Sequence, residues 1–140
     1  MNKTLVLIIS SVVITAAVAF TLINQDANSV IKKVSIALQT GDAKELSKYF
    51  TKTVELEIMG EENFYSVAQA EILLKSFFEK SIPTAFKINH QGVKDVSSFA
   101  IGTLTVKTGN LRVSFFMKTE NNQTLIHQLR IEQNEGGLDD

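Results

Sequence analysis

Apolar and polar residues alternate with a period near two along 98–107, 111–118 and 124–132. That pattern marks strands with one buried face. Gly109-Asn110 suits the centre of a tight turn, which would set Val106 against Val113, Leu104 against Phe115 and Gly102 against Met117. A second turn through 119–123 would set Met117 against Leu125, Phe115 against His127 and Val113 against Leu129. A register one residue different would place Gln128 and Arg130 among apolar residues, so the pattern itself selects this pairing. The predicted core face is Ala100, Leu104, Val106, Val113, Phe115, Met117, Leu125, Leu129 and Ile131. The opposite face carries Phe99, Ile101, Phe116 and Ile126 among Arg112, Arg130, Ser114, Gln128 and threonines, too apolar for a merely solvated surface.

Upstream, Val30, Ile31, Val34, Ala37 and Leu38 recur at helical spacing, and Gly41 stands where such a helix would end. Asp42 with Glu45 opens a short second helix reaching about Phe50, with Leu46, Tyr49 and Phe50 on its buried side. Val54, Leu56 and Ile58 alternate with Glu55 and Glu57, a strand with one wet face that turns at 60–63. Ser66 with Gln69 caps a helix over 67–80 whose wide apolar stripe predicts deep burial, and Pro83 stops it. A strand over 84–90 would place Phe86, Ile88 and His90 on one face before the chain turns through 92–97. Helices early and a strand meander late predict an α+β domain, with the helices packed on one face of a curved antiparallel sheet.

Lys3, the apolar run 5–23 and the small-residue triplet Ala17-Val18-Ala19 have the form of a secretory signal peptide. The alternative is an uncleaved anchor, since the run approaches the roughly 20 residues that span a bilayer. The expected division is a leader or anchor at 1–23, a domain at 24–133 and a polar, glycine-rich disordered tail at 134–140. The expected location is therefore exported, periplasmic or extracellular, with any membrane contact confined to the N-terminal segment. A formal charge of −1 gives no reason to expect nucleic acid, and the absence of cysteine closes disulfide, thiolate-metal and cysteine-nucleophile chemistry.

Several stretches resemble a known family: 41–50 (Gly-Asp-Ala-Lys-Glu-Leu-Ser-Lys-Tyr-Phe), the helix 68–80, His90-Gln91-Gly92, 100–104 (Ala-Ile-Gly-Thr-Leu) and 128–132 (Gln-Leu-Arg-Ile-Glu). Their order is similar to that of the nuclear-transport-factor-2-like cone, also called cystatin-like, shared with ketosteroid isomerases and related cyclases. The chain resembles more closely a family of small exported bacterial domains of unknown function with that fold, over 29–132. The resemblance implies the fold and an exported location, and no reaction. Catalytic members of the superfamily use an aspartate or histidine inside the cone, and no aspartate here falls on an apolar strand face.

His127 is the one weak candidate for a catalytic base, since a half-buried imidazole can titrate near neutral pH; a core histidine is the bland reading. His127, Tyr49, Tyr65 and Phe115 are the candidates for lining a pocket for a small apolar ligand. His90 and His127 fall six rows apart in the expected pairing, roughly 20 Å, too far to share a metal. No metal or other cofactor is expected. Glu55 and Glu57 read as a solvated edge. Arg112 and Arg130 are expected directly opposite each other, needing a carboxylate or bound anion between them. With Phe99, Ile101, Phe116 and Ile126 they form a candidate partner face, suited to a homodimer. A non-catalytic ligand- or protein-binding module is the leading reading; an isomerase- or cyclase-type enzyme is the alternative.

Overall fold

The computed structural model describes residues 26–136. The leader or anchor expected at 1–23 and the last four residues of the tail lie outside the described residues. Helix α1 (Ala27–Thr40) is capped by Asp26, whose Oδ1 accepts from the Ser29 amide at 2.7 Å. It ends at Gly41 in the left-handed conformation, φ 65°, where glycine alone escapes a steric penalty. The short helix α2 (Ala43–Ser47) is capped by Asp42. It stops before Phe50, which opens strand β1 (Phe50–Ile58) instead of closing the helix.

The chain reverses at Met59 and Gly60, both at positive φ, into strand β2 (Glu61–Ser66). The turn expected at 60–63 is thus mostly strand. Helix α3 (Val67–Lys80) has the full capping box of Ser66 and Gln69. It buries only Ala70, Leu74 and Phe78, whereas Ile72 and Leu73 are 69% and 38% exposed, against the deep burial expected of it. It packs against α2, β1 and the β2 edge strand rather than over the middle of the sheet, so only one side of its apolar stripe is covered.

Strands β3 (Pro83–Lys94), β4 (Ser97–Val106), β5 (Gly109–Glu120) and β6 (Gln123–Gln133) complete a six-stranded sheet of order β2-β1-β6-β5-β4-β3. All neighbours are antiparallel except β1 with β6. The inner face of the sheet and the helices enclose a core of Val34, Leu38, Leu46, Leu56, Leu74, Leu104, Phe115, Leu129 and Ile131. Among the described residues, no helix is long and apolar enough to cross a membrane.

Three features of the sheet differ from the expected pairing. The β4–β5 hairpin turns through Lys107-Thr108, so Val106 pairs Gly109, Leu104 pairs Leu111 and Ala100 pairs Phe115. A four-residue shift preserves every face, because side chains alternate with a period of two. The β5–β6 hairpin turns through Asn121 and Asn122, at φ 51° and 59°, a composition that tolerates the left-handed conformation. Next, Met117 pairs Ile126 and Phe116 pairs Gln128, leaving His127 as the extra residue of a β-bulge. The bulge inverts the alternation of 124–126. Ile126 becomes fully buried core and Leu125 is left half-buried. A similar irregularity between Ile88 and His90 pairs His90 with Ile101, off the face of Phe86 and Ile88.

Candidate functional site

Register assigns the outer face of the sheet, which no helix among the described residues covers. Phe99 pairs Phe116, Phe116 pairs Gln128, and Ile101 pairs Ser114, which pairs Arg130. The Phe99 and Phe116 rings stack at a centroid distance of 6.5 Å and an interplanar angle of 29°. Both are half-buried. A Cβ on Gly92 would lie 2.6 Å from Phe99 Cε1, so glycine in β3 is what allows the ring to lie flat there. With Val93, Lys94, His127 and Gln128, the two rings line an open cleft of about 380 Å³.

Charge is distributed unevenly across this face. Lys94 pairs Ser97, Lys87 pairs Thr103, and Lys118 pairs Ser97 from the other side, all of them exposed. On the β1–β2 side stand Glu55, Glu57 and Glu62. The Glu62 carboxyl is pushed above the usual carboxylate range, first by a hydrogen bond with Glu55.

Arg112 and Arg130 do not oppose each other. The two-residue hairpin turn and the bulge each slide β6 by one residue, so Arg112 pairs Glu132 and Arg130 pairs Ser114. Arg130 donates through Nε to Glu57 Oε2 at 2.7 Å and contacts the same oxygen through a terminal nitrogen at 2.6 Å, with Glu132 at 3.6 Å. Glu57 lies under this guanidinium, 9% exposed, in a strand flanked on both sides. It is therefore neither solvated nor at an edge, as the alternation had suggested. The parallel β1–β6 contact that joins Glu57 to Arg130 spans residues 73 apart, beyond any local pattern. Arg112 is exposed and makes no ion pair among the described residues. Of the expected partner face, Phe99, Ile101, Arg112, Phe116 and Arg130 share the outer surface; Ile126 belongs to the core.

The expected pocket residues do not converge. Phe115 and Tyr49 are core, 0% and 9% exposed, and burial pushes the Tyr49 hydroxyl's pKa up. Tyr65 lines a separate cleft of about 230 Å³ between α3 and the β1–β2 hairpin, with Leu56, Ile58, Leu73, Phe77 and Lys80. The Leu73-Phe77-Lys80 spacing, which puts the three on one helix stripe, was the available sequence signal for it. His127 is exposed on its bulge, not packed opposite Phe115 as a core histidine. His90 lies two to three rows from His127 along the sheet, with two strands between theirs, closer than the six rows expected. Among the described residues, no cluster of three or more histidine, aspartate or glutamate side chains is placed to hold a metal ion.

Partial burial, then the charge of Lys118, holds the His127 imidazole below the usual histidine pKa. Followed by NMR, its ring should titrate below about 6.5, and Lys118→Gln should move the midpoint upward. Because the folded value is depressed, the folded state disfavours the proton. This contribution to stability is present above the unfolded pKa and lost as pH falls through the folded one. An unmoved midpoint in Lys118→Gln would remove the charge from this account.

Residues 31–132 match the model of a domain of unknown function, DUF4783. The chain belongs to that family. A DUF4783 family protein from Bacteroides ovatus ATCC 8483 is 42% identical, with a TM-score of 0.69, covering 72% of this chain and 92% of that one. A DUF4783 family protein from Bacteroides uniformis ATCC 8492 is 35% identical, with a TM-score of 0.73, covering 76% and 98%. At 13% identity, a de novo designed protein with curved β-sheet matches at a TM-score of 0.64 over 76% of this chain and 98% of its own. That likeness shows the fold alone, the nuclear-transport-factor-2-like cone. No curated protein matches the chain.

Proposed function

We propose that this DUF4783 domain is an exported, non-catalytic binding module that pairs with a second copy of itself through the outer sheet face. The observation that carries the reading is the stacked Phe99–Phe116 pair, half-exposed on a face that no helix among the described residues covers. Aromatic residues and arginine are favoured at interface centres, where they exclude water over a large area. The lateral charge asymmetry favours a second copy as the occupant. A twofold axis running along the strands sets Lys87 and Lys94 of one chain toward the Glu55–Glu62 side of the other. Unlike charges then oppose each other on both flanks, and the aromatic rows meet between them.

Export rests on the pattern of residues 1–23 alone. The non-catalytic reading rests on the dispersal of the candidate residues His127, Tyr49 and Tyr65 among three different surroundings.

Sedimentation equilibrium tests the pairing. The mature protein should be dimeric at about 100 µM, a concentration at which even weak specific interfaces fill. Phe116→Glu should sediment as a monomer with unchanged circular dichroism, and added salt should weaken the wild-type dimer by screening its flanking charges. A wild type that remains monomeric there, or a Phe116→Glu variant that remains dimeric, defeats the proposal. Mass spectrometry of the protein taken from its host envelope tests export, by whether residues 1–23 have been removed.

A further inference from the structure

The two edges of the sheet are built differently. At the β3 edge the chain carries Pro83, Lys87 and Lys94 and two irregularities of register, all devices that discourage another strand from pairing. The β2 edge, Glu-Glu-Asn-Phe-Tyr-Ser, carries no lysine, no proline and no irregularity. Its Phe64 is 65% exposed and pairs Glu55 on the outer side. Tyr65 and Glu61, on the inner side, line the cleft under α3 together with the exposed Leu73 and the half-buried Phe77.

The main-chain groups of this edge are also identifiable. The amides of Phe64 and Ser66 are engaged by side chains, Asn63 Oδ1 at 2.8 Å and Gln69 Oε1 at 3.1 Å, rather than by β1. In an antiparallel pair such groups alternate, so the even-numbered residues of β2 direct their amides and carbonyls away from the sheet. The Asn63 bond to its own neighbour is local and readily exchanged for the carbonyl of an incoming strand.

We propose that β2 is a docking edge for an extended peptide segment of a partner protein, one that alternates apolar and basic residues. Main-chain hydrogen bonds to Glu62 and Phe64 extend the sheet by one strand, and the two side-chain series read the two faces. Apolar residues face the cleft of Leu56, Ile58, Tyr65, Leu73 and Phe77. Lysine or arginine faces Glu62 and Glu55, whose two carboxyls otherwise crowd each other. A second copy of this chain suits the edge poorly, because it would bring two glutamate-rich strands together. The site shares Glu55 and Glu62 with the flank of the outer-face pairing, but its main-chain edge and its inner cleft lie off that face, and it does not depend on the pairing.

Fluorescence anisotropy with a labelled heptapeptide alternating lysine and valine tests the site on the mature protein. A peptide alternating glutamate and valine serves as the control. The lysine peptide should bind and the glutamate peptide should not. Phe64→Pro, which deletes an outward amide, and Glu62→Lys, which leaves the backbone intact, should each weaken binding by about tenfold or more. Phe116→Glu should not weaken binding. The proposal is overturned if the wild type does not bind the lysine peptide, or if Glu62→Lys binds as tightly as wild type. It is equally overturned if Phe116→Glu abolishes binding, which places the peptide on the outer face, or if Phe64→Pro dissociates a dimer, which makes the occupant a second copy.

Discussion

Phe115→Ala should cost about 3–5 kcal/mol of folding stability, the range for removing a large buried ring. The side chain is 0% exposed, and it sits on β5 between Ala100 of β4 and Leu129 of β6. Ala100 has no side chain able to swing into the space, and β5 is held by ladders on both sides, so the vacated volume stays largely open. Because total stabilities are only about 5–15 kcal/mol, the variant should show a large fall in urea midpoint. Chemical denaturation read by circular dichroism measures this. A loss under about 1 kcal/mol would mean that the ring borders a collapsible or ligand-sized space, and the pocket reading of Phe115 would return.

Gly102→Val should be comparably damaging, at least about 3 kcal/mol, the upper end of what overpacking costs. A Cβ at this position would lie 2.5 Å from the Lys87 carbonyl oxygen and 2.5 Å from Phe86 Cζ. A ring can rotate away. A strand carbonyl held in the sheet can move only by disturbing the β3–β4 ladder. The requirement is space, since Gly102 needs no left-handed backbone. Gly102→Ala, measured beside it, should fall between wild type and valine. If valine were tolerated, β3 would have to be free to shift away from β4, which is an irregular edge strand's most plausible failing and would show as lost amide protection in β3.

In β1, β4, β5 and the later part of β6, the face of each residue was legible from the alternation alone. Shifts of register by an even number of residues leave a face unchanged, which is why Ala100, Leu104, Val113, Phe115, Leu129 and Ile131 are buried as expected despite wrong partners. Ile126 and His127 show where that logic stops. A bulge is a single extra residue, and no period-two pattern announces it, so Ile126 moved from the partner face to the core and His127 from core to solvent. The capping residues Gly41 and Ser66 read correctly because their chemistry is local.

The candidate site divides along the same line. Phe99, Ile101 and Phe116 could be grouped from sequence because alternation along adjacent strands places them together. The Glu57–Arg130 pair could not be, since it depends on β1 lying parallel beside β6. Nor could the contrast between the two sheet edges, since strand order is a property of the closed fold.

What the sequence by itself determined is the α+β class, the helix caps, the inward and outward series of β1, β4 and β5 and of β6 beyond its bulge, and the apolar N-terminal run. All of these follow from contacts within a few residues or from a periodicity that burial of one face imposes. Only the tertiary structure decided the partner of each arginine, the depth of α3, the exposure of His127 and the bareness of the β2 edge. Each of those depends on which distant segment lies alongside, and a chain's local pattern is satisfied equally well by several such neighbours.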